Sequence, residues 1–270
     1  GVVATKLGKT GRLKLSITDT DKKPVTTASV DFQLKDSTVR GYPDEAGNLE
    51  LQLPVGSWKV SVTDIGREGE ELSLEIKDGQ LLEKSISMDA QSGVRFSVKK
   101  EDGSTTPCKV QFIGLEGTSN PKLGPGDRAH GCKDQYHSEK GNFSVALNPG
   151  KYKLIVTRGI EHDHIEKTIV VPKGEYVDFG ATLKRTVKTP GWVSTDFHNH
   201  STPSGDNVCG TADRLINLAA EQIEFAPTTE HNRIMDWAPY IERLGLKGEI
   251  STIPGMELTG SGPHLNAFPL

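Results

Sequence analysis

An internal repeat is the feature that most constrains what this chain can fold into. The segment from Gly47 to Thr63 aligns with the segment from Gly141 to Thr157 at an offset of 94 residues and without a gap. Both segments alternate apolar and polar residues with a period of two, which is typical of half-buried strands. Pro-Val-Gly in the first copy and Asn-Pro-Gly in the second mark the turns between strands. We therefore expect two copies of one small β-sandwich.

The repeat extends upstream, but with a different offset. The strand-like segment that begins at Gly11 matches the one that begins at Gly93, at an offset of 82 residues, so the second copy carries an insertion of 12 residues. We place this insertion within Gly117–Lys133. A polar linker that ends in Pro-Gly, Lys184–Gly191, closes the second copy and predicts a domain boundary.

After the linker, the pattern changes to strands that alternate with helices. Trp192–Phe197 is predicted to be a strand, and Thr211 is the predicted N-cap of a helix with apolar residues at helical spacing. Alternating elements predict parallel βα units, which place chemistry at the carboxyl ends of their strands. The further predicted elements are a helix over 235–244 and strands over 225–229, 251–254 and 265–268. The predicted domains are residues 1–90, 91–188 and 191–270.

Composition and charge exclude several classes of partner. The chain has 270 residues and a formal net charge of -4 with interspersed signs, which gives no basic patch for nucleic acid or an anionic membrane. No apolar run reaches the length of a membrane span. Cysteine count leaves two alternatives open: one disulfide between Cys108 and Cys132, with Cys209 unpaired, or three free thiols.

Residues that can bind metal lie where the predicted strands of residues 191–270 end. His198 and His200 follow the first strand, and alternation along a strand would place both imidazoles on one face. Imidazole and carboxylate ligands suit Mn, Zn or Fe. Cys209 is nearby in sequence, but a plain thiol is the simpler interpretation. The predicted metal ligands are His198, His200, Asp206, His231, Glu257 and His264.

These motifs resemble, in their order, those of the PHP (polymerase and histidinol phosphatase) hydrolases, and most closely the CehA/McbA-type branch. The resemblance implies a partial α/β domain, the first half of a distorted TIM barrel, so the whole chain is expected to be two all-β sandwiches followed by that domain. A second chain or a C-terminal half beyond Leu270 would then complete the barrel. The motifs are Asp196-Phe-His-Asn-His-Ser201 with Asp206, Thr229-Glu-His-Asn232, Gly255-Met-Glu257 and His264.

The same resemblance implies a metal-dependent hydrolase, most naturally a phosphoesterase that acts on a small phosphate ester. A metal-bound hydroxide would be the nucleophile, with no catalytic side chain beyond the ligands and with two or three ions per complete barrel. Glu230 stands where the family usually has Asp, at a position that is generally not a ligand. The implied ion sites are His198, His200 and Glu257; Glu257 and His264; and Asp206 and His231.

The repeated domains have a resemblance of their own, to transthyretin-like or carboxypeptidase regulatory-like domains. Pro24-Val25, Ala28, Asp44 and Gly47 are among the residues that carry it. Families with this module use it as a rigid accessory domain outside the cytoplasm. The resemblance therefore implies a periplasmic or extracellular protein whose signal peptide has been removed.

A second His-x-His pair, His162 and His164, has the same spacing as the first pair. The equivalent positions of the first repeat are Glu68 and Glu70, so this place accepts any polar residue, and we expect both histidines to face solvent without a metal. The rival to the hydrolase is a binding or adhesion module outside the cytoplasm, in which the sandwiches perform the function and the PHP-like segment is inactive.

Overall fold

The computed structural model describes residues 8–260 and 262–270 of the chain. The first repeat forms a sandwich of two sheets, with the strand orders β4-β1-β7 and β3-β2-β5-β6. Apolar residues of both sheets, among them Leu15, Phe32 and Trp58, pack into one core between them. The strands are β1 (Thr10–Asp19), β2 (Ser29–Leu34), β3 (Ser37–Gly41), β4 (Asn48–Pro54), β5 (Gly56–Thr63), β6 (Glu70–Ile76) and β7 (Leu81–Met88).

The second repeat has the same topology, with sheets β11-β8-β14 and β10-β9-β12-β13. The prediction of two sandwiches with equal strand orders is confirmed. The long connection between its second and third strands contains the predicted insertion. The strands are β8 (Gly93–Lys99), β9 (Cys108–Leu115), β10 (Gln135–Ser138), β11 (Asn142–Ala146), β12 (Gly150–Thr157), β13 (Ile165–Val171) and β14 (Tyr176–Thr182).

One turn position requires glycine in both copies of the repeat. Gly47 and Gly141 both have positive φ, at 76° and 72°, and each accepts a 2.8 Å hydrogen bond from the first strand of its sandwich, from Ile17 N and Val98 N respectively. A Cβ at either glycine would lie 2.5 Å from a backbone oxygen. A side chain is therefore excluded at this turn in both copies for the same steric reason.

Residues 191–270 fold differently from the prediction. The described residues contain two short helices, and the strands of this region are three residues long, so no half barrel is present. The α/β part of the expected fold class is therefore wrong. The elements are α1 (Thr211–Ala220), β15 (Phe225–Pro227), α2 (Ala238–Leu244), β16 (Ser251–Ile253), β17 (Met256–Leu258) and β18 (Leu265–Ala267).

Strand pairing gives the physical reason for this difference. β15 and β16 pair in parallel, but β18 pairs antiparallel with β17 instead of extending that sheet. The predicted first strand is reduced to one isolated bridge, between Thr195 and Phe225, and its apolar residue Trp192 is 79% exposed. The predicted N-cap is also one residue late, since Gly210 occupies that position and Thr211 is already helical.

The chain divides into two compact units. The first contains residues up to Gly93 with Ala146–Pro149 and Val171–Tyr176, and the second contains most of the second sandwich together with residues 191–270. The predicted boundaries of three domains stay a prediction. Among the described residues, neither helix is long and apolar enough to span a membrane. Cys108, Cys132 and Cys209 are free thiols in this structure.

Within the second unit, charged side chains join the sandwich to residues 191–270. Glu249 receives hydrogen bonds from Arg158 Nη2 at 2.6 Å and from Lys100 Nζ at 3.0 Å. Burial raises the pKa of Glu249, but the two cations together lower it by more than burial raises it. The pKa of Glu249 therefore lies below its ordinary value. Gln222 donates to Glu161 at 2.9 Å, and Lys109 pairs with Glu221. The sandwich therefore supports the region that carries the predicted site.

Candidate metal centre

All six predicted ligands meet in one place. They form three overlapping groups, and within each group the atoms that could bind a metal lie within 4.8 Å of one another. The groups share members, so they describe one continuous cluster. The three groups are His198, His200 and Glu257; His200, Asp206 and His231; and His231, Glu257 and His264.

Glu257 lies at the centre of the cluster and is 1% exposed. Its Oε2 lies 3.2 Å from His198 Nε2, 3.1 Å from His200 Nε2 and 3.2 Å from His231 Nδ1. Its other oxygen, Oε1, lies 2.7 Å from His264 Nδ1. Oε2 therefore lies near three ring nitrogens and Oε1 near a fourth.

Asp206 extends the cluster towards solvent. Its Oδ2 lies 3.0 Å from His231 Nε2, and its side chain is 63% exposed. The hydrogen bond with His231 lowers the pKa of Asp206 more than its small burial raises it. Asp206 is thus a rim carboxylate, ionised at neutral pH.

Backbone contacts between distant segments hold the ligands in place. Thr229 Oγ1 accepts from Asn199 N at 2.8 Å and donates to Asn199 O at 2.7 Å, which fixes the residue between His198 and His200. On the other side, Glu257 N donates to Glu230 O at 3.0 Å, and an isolated parallel bridge joins His231 to Glu257. The histidines are therefore fixed by loops next to short strands, instead of by a barrel.

Two buried atoms of the cluster lack a hydrogen bond. Glu257 Oε1 and His231 Nδ1 make no hydrogen bond of acceptable geometry among the described residues. The nearest polar atoms named above are His264 Nδ1, 2.7 Å from Glu257 Oε1, and Glu257 Oε2, 3.2 Å from His231 Nδ1. A buried polar atom without a partner costs about 1–3 kcal/mol. A cation between these atoms would satisfy both, so the donor set fits a metal ion.

The pKa directions also fit metal ligation. Burial is the larger cause that lowers the pKa of His200, and the neighbouring His231 lowers it further. The His200 ring is therefore neutral at neutral pH. Burial raises the pKa of Glu257, but the surrounding imidazoles lower it more, and its net pKa is below the ordinary value. Neutral imidazoles and ionised carboxylates are the forms that bind metal.

A buried carboxylate behind the cluster was missed as a contributor to the site. Glu230 is fully buried and accepts hydrogen bonds from the hydroxyls of Ser201 and Ser204 and from Ser201 N. Ser204 Oγ in turn lies 3.0 Å from His200 Nδ1. The short polar residues that follow His200 are the signal that could have indicated these contacts.

The second His-x-His pair lies outside the cluster. His162 and His164 belong to none of the potential metal groups among the described residues. His164 is exposed as predicted, but the prediction that His162 faces solvent is wrong, because it is half-buried where the hairpin of the second sandwich packs near Gln222. Burial lowers the pKa of His162.

Comparison with known proteins gives no family for the chain. No family model matches it, and no curated protein matches it. Similar solved structures include the Bacillus anthracis TIE protein, with 18% identity over 66% of this chain and 34% of that chain, at a TM-score of 0.31. The streptococcal ancillary pilin has 16% identity over 66% and 62%, at 0.36. Shaft pilin SpaA from Lactobacillus rhamnosus GG has 12% identity over 67% and 99%, at 0.38. The chain thus spans about a third of the TIE protein and under two thirds of the ancillary pilin.

The predictions of PHP-family membership and of a hydrolase built on that fold are wrong. The described part of residues 191–270 has two short helices and strands of three residues, so it does not form the half barrel that the resemblance implies. The expected phosphate-ester substrate and the expected chain that completes a barrel lose their basis with it. The convergence of the predicted ligands is a separate, geometric observation, and it stands.

Proposed function

We propose that this protein is a binding module outside the cytoplasm, in which tandem β-sandwiches carry a divalent metal centre formed by residues 191–270. One observation carries the proposal: four imidazoles surround the buried carboxylate of Glu257, with a nitrogen of each ring 2.7 to 3.2 Å from one of its oxygens. Tandem sandwiches are a frequent architecture of cell-surface domains, which supports the location and the binding role.

The ligand chemistry indicates the class of ion. Imidazole nitrogens together with carboxylate oxygens suit Mn, Zn or Fe more than Mg or Ca, which prefer oxygen alone. Glu257 belongs to two of the three groups, and His264 lies at a different oxygen of it from the other histidines, so Glu257 can bridge two ions. The third group, which contains Asp206, lies nearer to solvent and holds the weakest of the proposed sites.

Metal binding can be tested with a matched pair of double variants. His198→Ala with His200→Ala removes two ligands, whereas His162→Ala with His164→Ala removes a His-x-His pair of equal spacing outside the cluster. We expect wild type and the second variant to bind more than one Zn²⁺ or Mn²⁺ per chain. The first variant should lose at least one site, because each group needs three donors.

The measurement is titration calorimetry with each ion, checked by elemental analysis after dialysis. Circular dichroism should show that both variants keep the β-sheet signal of wild type. Equal metal uptake by the two variants, or none by wild type, would contradict the proposed centre.

A further inference from the structure

We infer that His162 makes the joint between the second sandwich and residues 191–270 sensitive to pH. While its ring is neutral, the loop between β12 and β13 packs against the linker and the end of α1, and protonation of the ring loosens this packing. The β12–β13 loop comprises residues 158–164. The inference does not require a metal ion, because the loop lies outside the proposed metal centre.

Three segments meet at the β12–β13 loop. Glu161 is 8% exposed and joins the loop to both other segments, because its carboxylate accepts hydrogen bonds from Thr189 Oγ1 at 2.7 Å and from Gln222 Nε2 at 2.9 Å. The backbones also approach closely, since a Cβ at Gly159 would collide with Glu221 O. The loop, the linker and the end of α1 therefore form one packed joint.

His162 lies inside this joint. It forms an isolated antiparallel bridge with Arg185 of the linker, and the next residue, Asp163, donates through its N to Lys184 O at 2.9 Å. The ring is half-buried, and its Nδ1 is fully buried without a hydrogen bond among the described residues. A neutral ring can leave Nδ1 without a proton, whereas a protonated ring must carry one there. Protonation therefore places a positive charge at a buried position.

The carboxylates beside His162 in the chain are already engaged. Glu161 is paired with Arg185, and Asp163 Oδ1 accepts from Lys184 N at 2.7 Å. Neither is therefore held as a partner for the ring. The titratable and charged groups of the three segments are Arg158, Glu161, Asp163 and His164 in the loop, Lys184, Arg185 and Lys188 in the linker, and Glu221 at the end of α1.

The pKa direction supports this placement. Burial is the largest cause that lowers the pKa of His162, and the positive charges of Arg158 and Arg185 lower it further. Contacts with Gln222 and with the backbone of Arg158 raise it by less, so the pKa of His162 lies below its ordinary value of 6.5.

The consequence for stability has a definite sign. A ring whose pKa is lowered by packing takes up its proton at a lower pH than the exposed ring of the loosened joint. The packed joint therefore loses stability as the pH falls below 6.5, and the loss is complete below the packed-state value. Within this range, each pH unit shifts the ratio of loosened to packed joints by about tenfold.

A matched pair of variants tests the inference. His162→Gln removes the titrating ring from the joint, whereas His164→Gln removes an exposed histidine of the same loop. Hydrogen exchange of the full chain is measured by mass spectrometry at about pH 7.5 and about pH 5, on either side of the ordinary histidine value. Each variant is compared with wild type at the same pH, so that the intrinsic exchange rates cancel. The titration midpoint of His162 is read from its Cε1 proton by NMR of wild type.

We expect a midpoint below 6.5 for His162. At the lower pH, residues 158–164, 184–190 and 221–224 should exchange faster in wild type than in His162→Gln, and this excess should shrink at the higher pH. His164→Gln should follow wild type at both values.

A midpoint at or above 6.5 would overturn the inference. Equal exchange of wild type and His162→Gln at both values would also overturn it, as would an excess that His164→Gln removes equally. If His162→Gln does not fold, His162→Asn replaces it. The midpoint is measured on wild type and depends on neither variant.

Discussion

The two sandwiches share a topology, but the same hairpin serves different purposes in them. In the first, Asp64 and Arg67 form an ion pair with each other at 3.0 Å. At the equivalent positions of the second, 94 residues later, the charges are reversed: Arg158 pairs with Glu249 and Glu161 contacts Gln222, both partners in residues 191–270.

The difference shows that the hairpin of a repeated sandwich can form contacts with a further region of the chain while the strand order stays the same. The turn glycines and the apolar character of the buried strand positions are kept, because they specify the sandwich. The hairpin charges and the insertion between β9 and β10 differ, and both contact residues 191–270: Ala129 N, in the insertion, donates to Asp213 Oδ1 in α1 at 2.8 Å. The second sandwich is thus a scaffold as well as a repeat.

The largest effect that tests this comparison should come from Arg158→Ala. Arg158 is 5% exposed, and its removal leaves Lys100 as the one cation paired with Glu249 among the described residues. Loss of one partner from a buried ion pair costs roughly 3 kcal/mol. We expect hydrogen exchange to rise throughout residues 211–250, measured by mass spectrometry.

The control for this prediction is Arg67→Ala, which breaks the equivalent hairpin pair of the first sandwich. Its effect on exchange should be confined to the first unit, because Arg67 pairs with Asp64 and Asp19 of that unit. If Arg67→Ala raised exchange in residues 211–250 as much as Arg158→Ala does, the two hairpins would not differ in purpose.

A smaller effect is expected from pH. Because the folded-state pKa of Glu249 is lowered, its contribution to stability is fully present above the unfolded value of 4.5 and is lost as the pH falls through the folded value. In Arg158→Ala the lowering is weaker. The difference in unfolding free energy between wild type and this variant, measured with urea, should therefore narrow below about pH 4.5. A difference that stays constant from pH 7 to pH 3 would mean that Arg158 acts through packing alone.

The sequence predicts the sandwiches well because period-two alternation and turn glycines act locally. It also predicts which side chains converge, since His231 and Glu257 lie at one bridge and His198 follows the bridge at Thr195. The fold of residues 191–270 could not be predicted correctly, because short apolar segments do not specify the strand with which they pair. Ser201 and Ser204 lie 29 and 26 residues from Glu230, so the short polar residues after His200 indicate polar contacts but do not identify Glu230 as their partner.

The most direct test of the central claim is anomalous diffraction from crystals of the chain grown with Zn²⁺ or Mn²⁺, recorded at the absorption edge of that metal. We predict anomalous peaks about 2.0–2.3 Å from the Glu257 oxygens and from ring nitrogens of the cluster histidines. A strong peak at His162 and His164 with none at Glu257, or no protein-bound peak at all, would contradict the metal centre.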